Sequence, residues 1–313
     1  MKAVQINAYG GIEVLEINLD VVQPVPGKDQ VLVEVYAASL NPIDWKIRAG
    51  YLQKMVPLKF PTTLGTDLAG VVTQVSTNGT GFNPGDQVYG SAITLAGGSG
   101  AFAESAAANT ANISLKPKNT SWTEAAALPL AGISALQALE DHIKLNIGQK
   151  ILIHGGAGGI GSTAIQLAKV KGAYVATTVS SKDLDFAHGL GADEAIDYKK
   201  EDFTEKLKGF DAVFDTVGGV TTNKSFIVLK KGGILVSMTG QPDQMLAQKY
   251  GVTAIGQNTG TTTERLNRLT RYVENGQIKI QISQVFPLQE VKAAFDFLEK
   301  GSVRGKVVLS IKE

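Results

Sequence analysis

The sequence predicts an α/β fold: a doubly wound parallel sheet set into the middle of a second, discontinuous β-rich domain. Three observations predict it. Strand-like and helix-like segments alternate from about Thr123 to Gly260. The segments up to about Trp122 are short, apolar and divided by turn residues. After Gly260 the chain mixes amphipathic helices with one last apolar strand. We place the β-rich domain at 1–122 and 261–313 and the parallel sheet at 123–260.

The elements follow in order. "QVLVEVYAASL" (Gln30–Leu40), "LAGVVTQVS" (Leu68–Ser76) and "QVYGS" (Gln87–Ser91) read as strands, the last preceded by the turn "NPGD". "LAGGSGAFAE" (Leu95–Glu104) reads as a flexible stretch leading into another strand. The alternating region opens with "KILIHGG" (Lys150–Gly156) and a helix, "GSTAIQLAKVKG" (Gly161–Gly172), with Ala164, Leu167 and Ala168 at helical spacing. "AYVATTVS", "EAIDY", "DAVFDTVG" and "GGILVSM" are further strands, and "YGVTAIGQ" (Tyr250–Gln257) is a candidate edge. "TERLNRLTRYVENG" and "PLQEVKAAFDFLEKG" read as amphipathic helices ending at glycine, before the strand "KVVLSI".

Composition narrows the function. Of 313 residues, 43% are hydrophobic, enough for two cores. Thirty basic residues balance 29 acidic ones, so no global field recruits nucleic acid or anionic lipid. The absence of cysteine excludes disulfides, thiolate nucleophiles and cysteine metal sites. No apolar run reaches membrane-spanning length and "MKAVQINAYGG" lacks a signal core, which together predict a soluble cytoplasmic protein.

"HGGAGGIG" (His154–Gly161) contains Gly156-x-Gly158-x-x-Gly161 between an apolar strand and a helix. In that context glycines permit a tight turn and close approach of backbone to a pyrophosphate, and the helix N-terminus offers free N–H groups. Gly159 and Ile160 complete the loop. His154 reads as a loop or core residue. An NAD site places an acid at the end of the second strand; here that place reads "VSSK". Ser180, Ser181 and Lys182 suit a 2′-phosphate and predict NADPH, with Asp183 the one acid near enough to serve a ribose instead.

With these residues placed, the whole chain resembles the medium-chain dehydrogenase/reductase superfamily, and within it the zinc-independent quinone oxidoreductase branch that includes plant-type enone reductases. "AASLNPIDWKIRAG", "LGTDLAGVV", "GDQVYG", "AAALPLAGISALQAL", "ILIHGGAGGIG", "DTVGG" and "RGKVVL" carry the resemblance in family order. It implies a GroES-like catalytic domain around a Rossmann-type nucleotide domain, and a homodimer paired through nucleotide-domain edge strands. Zinc-dependent members place cysteine, histidine with a following glutamate, and cysteine where this chain has Asn41, Thr66 with Asp67, and Ala131. An amide, a hydroxyl and a methyl do not replace two thiolates and an imidazole.

The resemblance further implies cofactor contacts at Lys46, Ser134, Ser180, Ser181, Lys182, Tyr198, Val217, Arg304 and Gly305, besides the glycine loop. It makes Asn41, Asp44 and Lys46 active-site positions. Asp44 is equally readable as a turn acid and Asn41 as a turn-shaping residue before Pro42. Trp45 is an interface anchor or a pocket wall. Some quinone oxidoreductases carry tyrosine where this chain has Trp45 or Lys46 and where it has Leu136; their absence here favours the enone-reductase variety. The implied activity is NADPH-dependent hydride transfer to a quinone or an α,β-unsaturated carbonyl. A NADPH-binding regulatory or structural protein is the alternative from a different class.

Overall fold

The structure, a computed structural model, describes residues 1–76, 81–301 and 303–312. The chain forms two compact units. The first comprises Met1–Leu130, Thr261–Glu274 and Ile280–Glu313; the second comprises Ala131–Gly260 and Asn275–Lys279.

In the first unit, β1 (Ala3–Ile6) pairs antiparallel with β2 (Glu16–Asn18) and β4 (Thr62–Thr63). The larger sheet is built on β3 (Gln30–Leu40), whose alternation fails because both faces are covered: Val31, Leu32, Val33, Val35, Ala37, Ala38 and Leu40 are all buried. β5 (Asp67–Val75), β6 (Gln87–Ser91) and β8 (Ile113–Leu115) continue the sheet on one side. β16 (Lys306–Ser310) and β15 (Ile282–Pro287) lie beyond β3 on the other, while β7 (Ser105–Asn109) pairs with the start of β3. The returning helix Thr263–Glu274 is fixed by Tyr89, a fully buried ring whose hydroxyl lies 2.8 Å from the Leu266 carbonyl and 2.9 Å from the Thr270 hydroxyl.

The second unit holds six parallel strands: β9 (Lys150–His154), β10 (Tyr174–Val179), β11 (Glu194–Asp197), β12 (Phe210–Asp215), β13 (Leu229–Ser237) and β14 (Thr253–Gly256). Their spatial order is β11-β10-β9-β12-β13-β14, so the winding reverses beside β9. A doubly wound sheet binds ligands at the carboxyl ends of its strands at such a reversal. The strap Asn275–Lys279 joins this unit through the Gln166 amide, which donates to the Lys279 carbonyl at 3.0 Å and accepts from its N–H at 2.8 Å.

Several elements differ from the sequence expectation. β15 has no counterpart in it, because its run ISQVFP is a mostly exposed edge whose apolar residues do not alternate. It takes Pro287, so the last helix runs Val291–Glu299 after a single tight turn, Leu288–Glu290. The helix after β9 begins at Gly159, not Gly161, because Gly158 is its N-cap with extended backbone.

Candidate active site

The glycines of the loop after β9 differ in what requires them. Gly155 has φ +76°, a conformation that side chains disfavour. A Cβ on Gly156 would lie 2.1 Å from the Thr177 hydroxyl, and one on Gly161 would lie 2.2 Å from the Gly155 carbonyl. Packing inside the chain therefore requires both. Gly158 is different: its Cβ would make only an ordinary contact, 3.5 Å from the Gly155 carbonyl, and its φ of −74° suits any residue. Nothing within the chain demands glycine there. A bare surface beside the N–H groups of Gly159, Ile160 and Gly161, which have no intrahelical partner, fits a pyrophosphate pressed against the backbone.

Below the loop, His154 is fully buried with a hydroxyl at each ring nitrogen: Thr178 at 2.9 Å from Nδ1 and Ser225 at 3.0 Å from Nε2. Burial pushes its pKa down to about 4, against the opposing pull of Asp215. It is a core residue. Asp215, also fully buried, accepts from the N–H groups of Val217 at 2.9 Å and Gly218 at 3.1 Å and from the Thr222 hydroxyl. It thereby shapes the loop that leaves Val217 exposed.

The expected 2′-phosphate residues gather at the ends of β10 and β11. Ser180 is buried and donates to Asp183 at 2.5 Å; exposed Ser181 donates to Asp197. Lys182 and Tyr198 are exposed on the same rim. Ser134 stands apart from this picture. It has no exposed surface, and its hydroxyl pairs with that of Thr259 at 2.7 Å.

In the first unit, Asn41, Asp44, Thr66 and Asp67 form one buried network. Asn41 and Asp44 make a reciprocal capping box for the helix Pro42–Arg48, with the Asn41 N–H donating to Asp44 Oδ2 at 2.7 Å. Thr66 donates to Asp44 Oδ1 at 2.7 Å. Asp67 accepts from the Asn41 amide at 2.9 Å, the Ser39 hydroxyl at 3.2 Å and the Leu130 N–H at 3.2 Å. The residue that sequence reasoning missed is Lys306. Its amino group donates to the Leu40 carbonyl at 2.7 Å and to Asn41 Oδ1. Burial drives Asp44 up to about 7 and Asp67 upward, and drives Lys306 down, while Lys306 and Asp67 each resist the other's shift. A lysine opening an otherwise apolar strand was the signal that could have revealed it.

Asp44 thus sits as the turn acid, with both oxygens engaged and no exposed surface, so direct contact with a substrate is set aside. Asn41 is likewise 1% exposed and is a bridging residue. Lys46 is half-buried on the capped helix, which Arg48 anchors to Glu299 through two hydrogen bonds of 2.9 and 3.3 Å. Trp45 packs partly on this unit's core and meets Tyr51 edge to face. Arg304 is exposed. Gly305 is buried with a φ of +72°, and a Cβ there would lie 2.0 Å from the Gln281 carbonyl, which together account for the glycine.

Zinc does not fit the residues at its family positions in this unit. Asn41 and Thr66 spend their polar atoms on neighbours, and a buried lysine already supplies the cation. Among the described residues no group of three or more histidine, cysteine, aspartate or glutamate side chains is placed to hold a metal. No helix among them is long and apolar enough to cross a membrane.

Known proteins agree with this architecture. Residues 27–118 match the family described as alcohol dehydrogenase GroES-like domain, and residues 190–309 match the one described as zinc-binding dehydrogenase. A 2-methylene-furan-3-one reductase of Solanum lycopersicum is 41% identical over 99% of this chain and 79% of its own length. An NADPH-dependent alkenal/one oxidoreductase of Arabidopsis thaliana, a chloroplastic protein, is 39% identical with the same coverage. The solved quinone oxidoreductase of Coxiella burnetii superposes with TM-score 0.92 at 37% identity, covering 100% of this chain and 99% of that one. Other relatives are named as chloroplast-envelope or mitochondrial proteins. They overturn the expected cytoplasmic location, which rested on the lack of a signal core and of a membrane-spanning apolar run.

Two outcomes follow from this geometry. Elemental analysis should find no stoichiometric zinc, and exhaustive chelation should leave the thermal midpoint unchanged; a fall reversed by added zinc would contradict the donor-set argument. The second concerns His154. Its folded pKa lies below the unfolded value of 6.5, so the unfolded chain binds the proton first and stability falls as pH drops from 6.5 towards 4. The loss reaches on the order of 3 kcal/mol. His154→Gln should flatten that part of the pH–stability curve; parallel curves for the two proteins would refute the assignment.

Proposed function

We infer the function from one premise: the chain belongs to the medium-chain dehydrogenase/reductase family, in its zinc-independent quinone oxidoreductase and enone reductase branch. It is an NADPH-dependent oxidoreductase that reduces a quinone or an α,β-unsaturated carbonyl. The observation that carries this reading is the glycine loop, with Gly158 left bare where packing does not require it. The names of the reductase and alkenal/one oxidoreductase relatives support the acceptor class.

When bound, NADPH supplies the hydride. The chain's own part is to hold and orient. The N-terminus of the helix Gly159–Val170 faces the pyrophosphate, and the rim edged by Ser180 and Ser181 takes the 2′-phosphate through Lys182, its charge partner, and Tyr198. A conjugated acceptor suits a site without a metal Lewis acid, because charge delocalises onto a remote oxygen as hydride arrives at carbon. Lys46, the counterpart of the family's cofactor-side lysine, is the donor assigned to that oxygen. Arg304 and the Gly305 backbone are assigned to the cofactor on the same ground. Water supplies the last proton.

We also propose a homodimer paired through β14. The outer edge of that strand is held by side-chain amides: Gln241 donates to the Ala254 carbonyl at 3.2 Å and accepts from the Gly256 N–H at 3.0 Å, and Gln244 also donates to Ala254. A partner strand must displace them. Sedimentation at micromolar concentration should show a dimer, and a clean monomer would end this proposal.

Cofactor choice is the sharper test. A charge-assisted hydrogen bond to phosphate contributes on the order of 1.5–3 kcal/mol. Lys182→Ala should therefore lower kcat/KM with NADPH by roughly 10- to 100-fold and leave NADH nearly unchanged. Equal losses with both cofactors, or no oxidation of NADPH with any quinone, enal or enone, would contradict the function proposed.

A further inference from the structure

The rim that faces the adenosine ribose contains two serines whose protons are already committed. β10 and β11 lie side by side with Val179 opposite Asp197, and the Tyr198 N–H donates to the Val179 carbonyl at 3.2 Å. The turns 180–182 and 198–200 thus form one continuous edge. The glycine loop adjoins it, since the N–H groups of Gly155 and Gly156 both reach the Thr178 carbonyl at 3.2 Å.

Asp197 is buried at the base of this edge. Its carboxylate accepts from the Ser181 hydroxyl and from the Lys199 N–H at 3.1 Å, and Lys200 lies 3.6 Å away. The Ser181 bond, with the Lys199 N–H, holds its pKa below the usual carboxylate value, so it is ionised at neutral pH. An ionised carboxylate has only acceptors, and a serine hydroxyl has one proton. Ser181 must therefore be the donor, and its oxygen offers lone pairs to anything beyond. Ser180 repeats the pattern by donating to Asp183 at 2.5 Å.

A 2′-phosphate is itself acceptor-only and gains nothing from such hydroxyls, whereas a free ribose 2′-hydroxyl can donate to them. We propose that Asp197 is a specificity-determining residue: by taking the Ser181 proton it turns that part of the rim into an acceptor, which tempers the preference for NADPH and keeps NADH usable. The 2′-phosphate then depends on the lysines and Tyr198, not on serine hydroxyl donors. The inference rests on the dinucleotide-binding function proposed above, and adds to it the sign of each hydroxyl's contribution.

The test is the ratio of kcat/KM for NADPH to that for NADH, with direct titration of both cofactors, in the wild type, Asp197→Asn and Ser181→Ala. An asparagine can turn its NH2 to the serine oxygen and release the serine proton, and it removes a negative charge. Asp197→Asn should raise the ratio about tenfold. Ser181→Ala should raise the ratio, because it removes an acceptor that only NADH uses. A ratio that falls in Ser181→Ala would show that the hydroxyl donates to the phosphate, and an unchanged ratio would show that it serves neither cofactor; either would overturn the proposal. So would a ratio in Asp197→Asn that stays within about twofold of the wild type. Both cofactors are read in one protein sample, so partial loss of folded enzyme cancels. Failure of the wild type to bind either cofactor is the distinct result that removes the proposed function itself.

Discussion

One amide joins the parts of the first unit that carry its chemistry. Asn41 accepts a hydrogen bond from buried Lys306 through Oδ1 and donates one to buried Asp67 through Nδ2. Only a side chain with both an acceptor and a donor can stand between an amino group and a carboxylate in this way. Through it β16, β3 and β5 are locked in register, with Val307 opposite Leu40 and Ser39 opposite Asp67. The same residue caps the helix that presents Lys46. Loss of one partner would leave a charge buried without compensation, at a cost of about 3–5 kcal/mol.

This network has a chemical consequence. Burial pushes each of its titratable members towards its neutral form, and the members hold one another against that pressure. The polar atoms at the family's metal positions in this unit are thereby consumed in holding the loop. What remains for catalysis is positioning, a bound dinucleotide and a modest donor. That suits acceptors whose developing charge spreads through conjugation, and it does not suit a simple alcohol, whose oxidation calls for a strong electrophile.

Periodicity and punctuation made most of the fold legible. The six parallel strands were readable because apolar runs alternate with helical spacing, and the glycine loop was readable because its context is specific. β15 was not, since the apolar residues of this mostly exposed edge do not alternate. The place of Ser180–Lys182 at the end of β10 was readable from position along the strands, whereas Tyr198 was reached only through the family resemblance. The partners of those serines were not, because Asp197 lies 16 residues from Ser181 and meets it only through the pairing of β10 with β11. Lys306 lies 265 residues from Asn41, beyond the reach of any local pattern. The burial of Ser134 was not readable, because a motif match does not reveal that a hydroxyl turns into the core.

The central claim is that this chain transfers hydride from NADPH to a conjugated carbon without a metal. The most direct measurement is a single turnover of metal-stripped protein with NADPH deuterated at the transferable C4 position and a ring enone, with the product read by NMR. Deuterium on the carbon β to the carbonyl, at an undiminished rate, is the result predicted. Deuterium on the carbonyl carbon, or turnover that returns only when zinc is added, would contradict it.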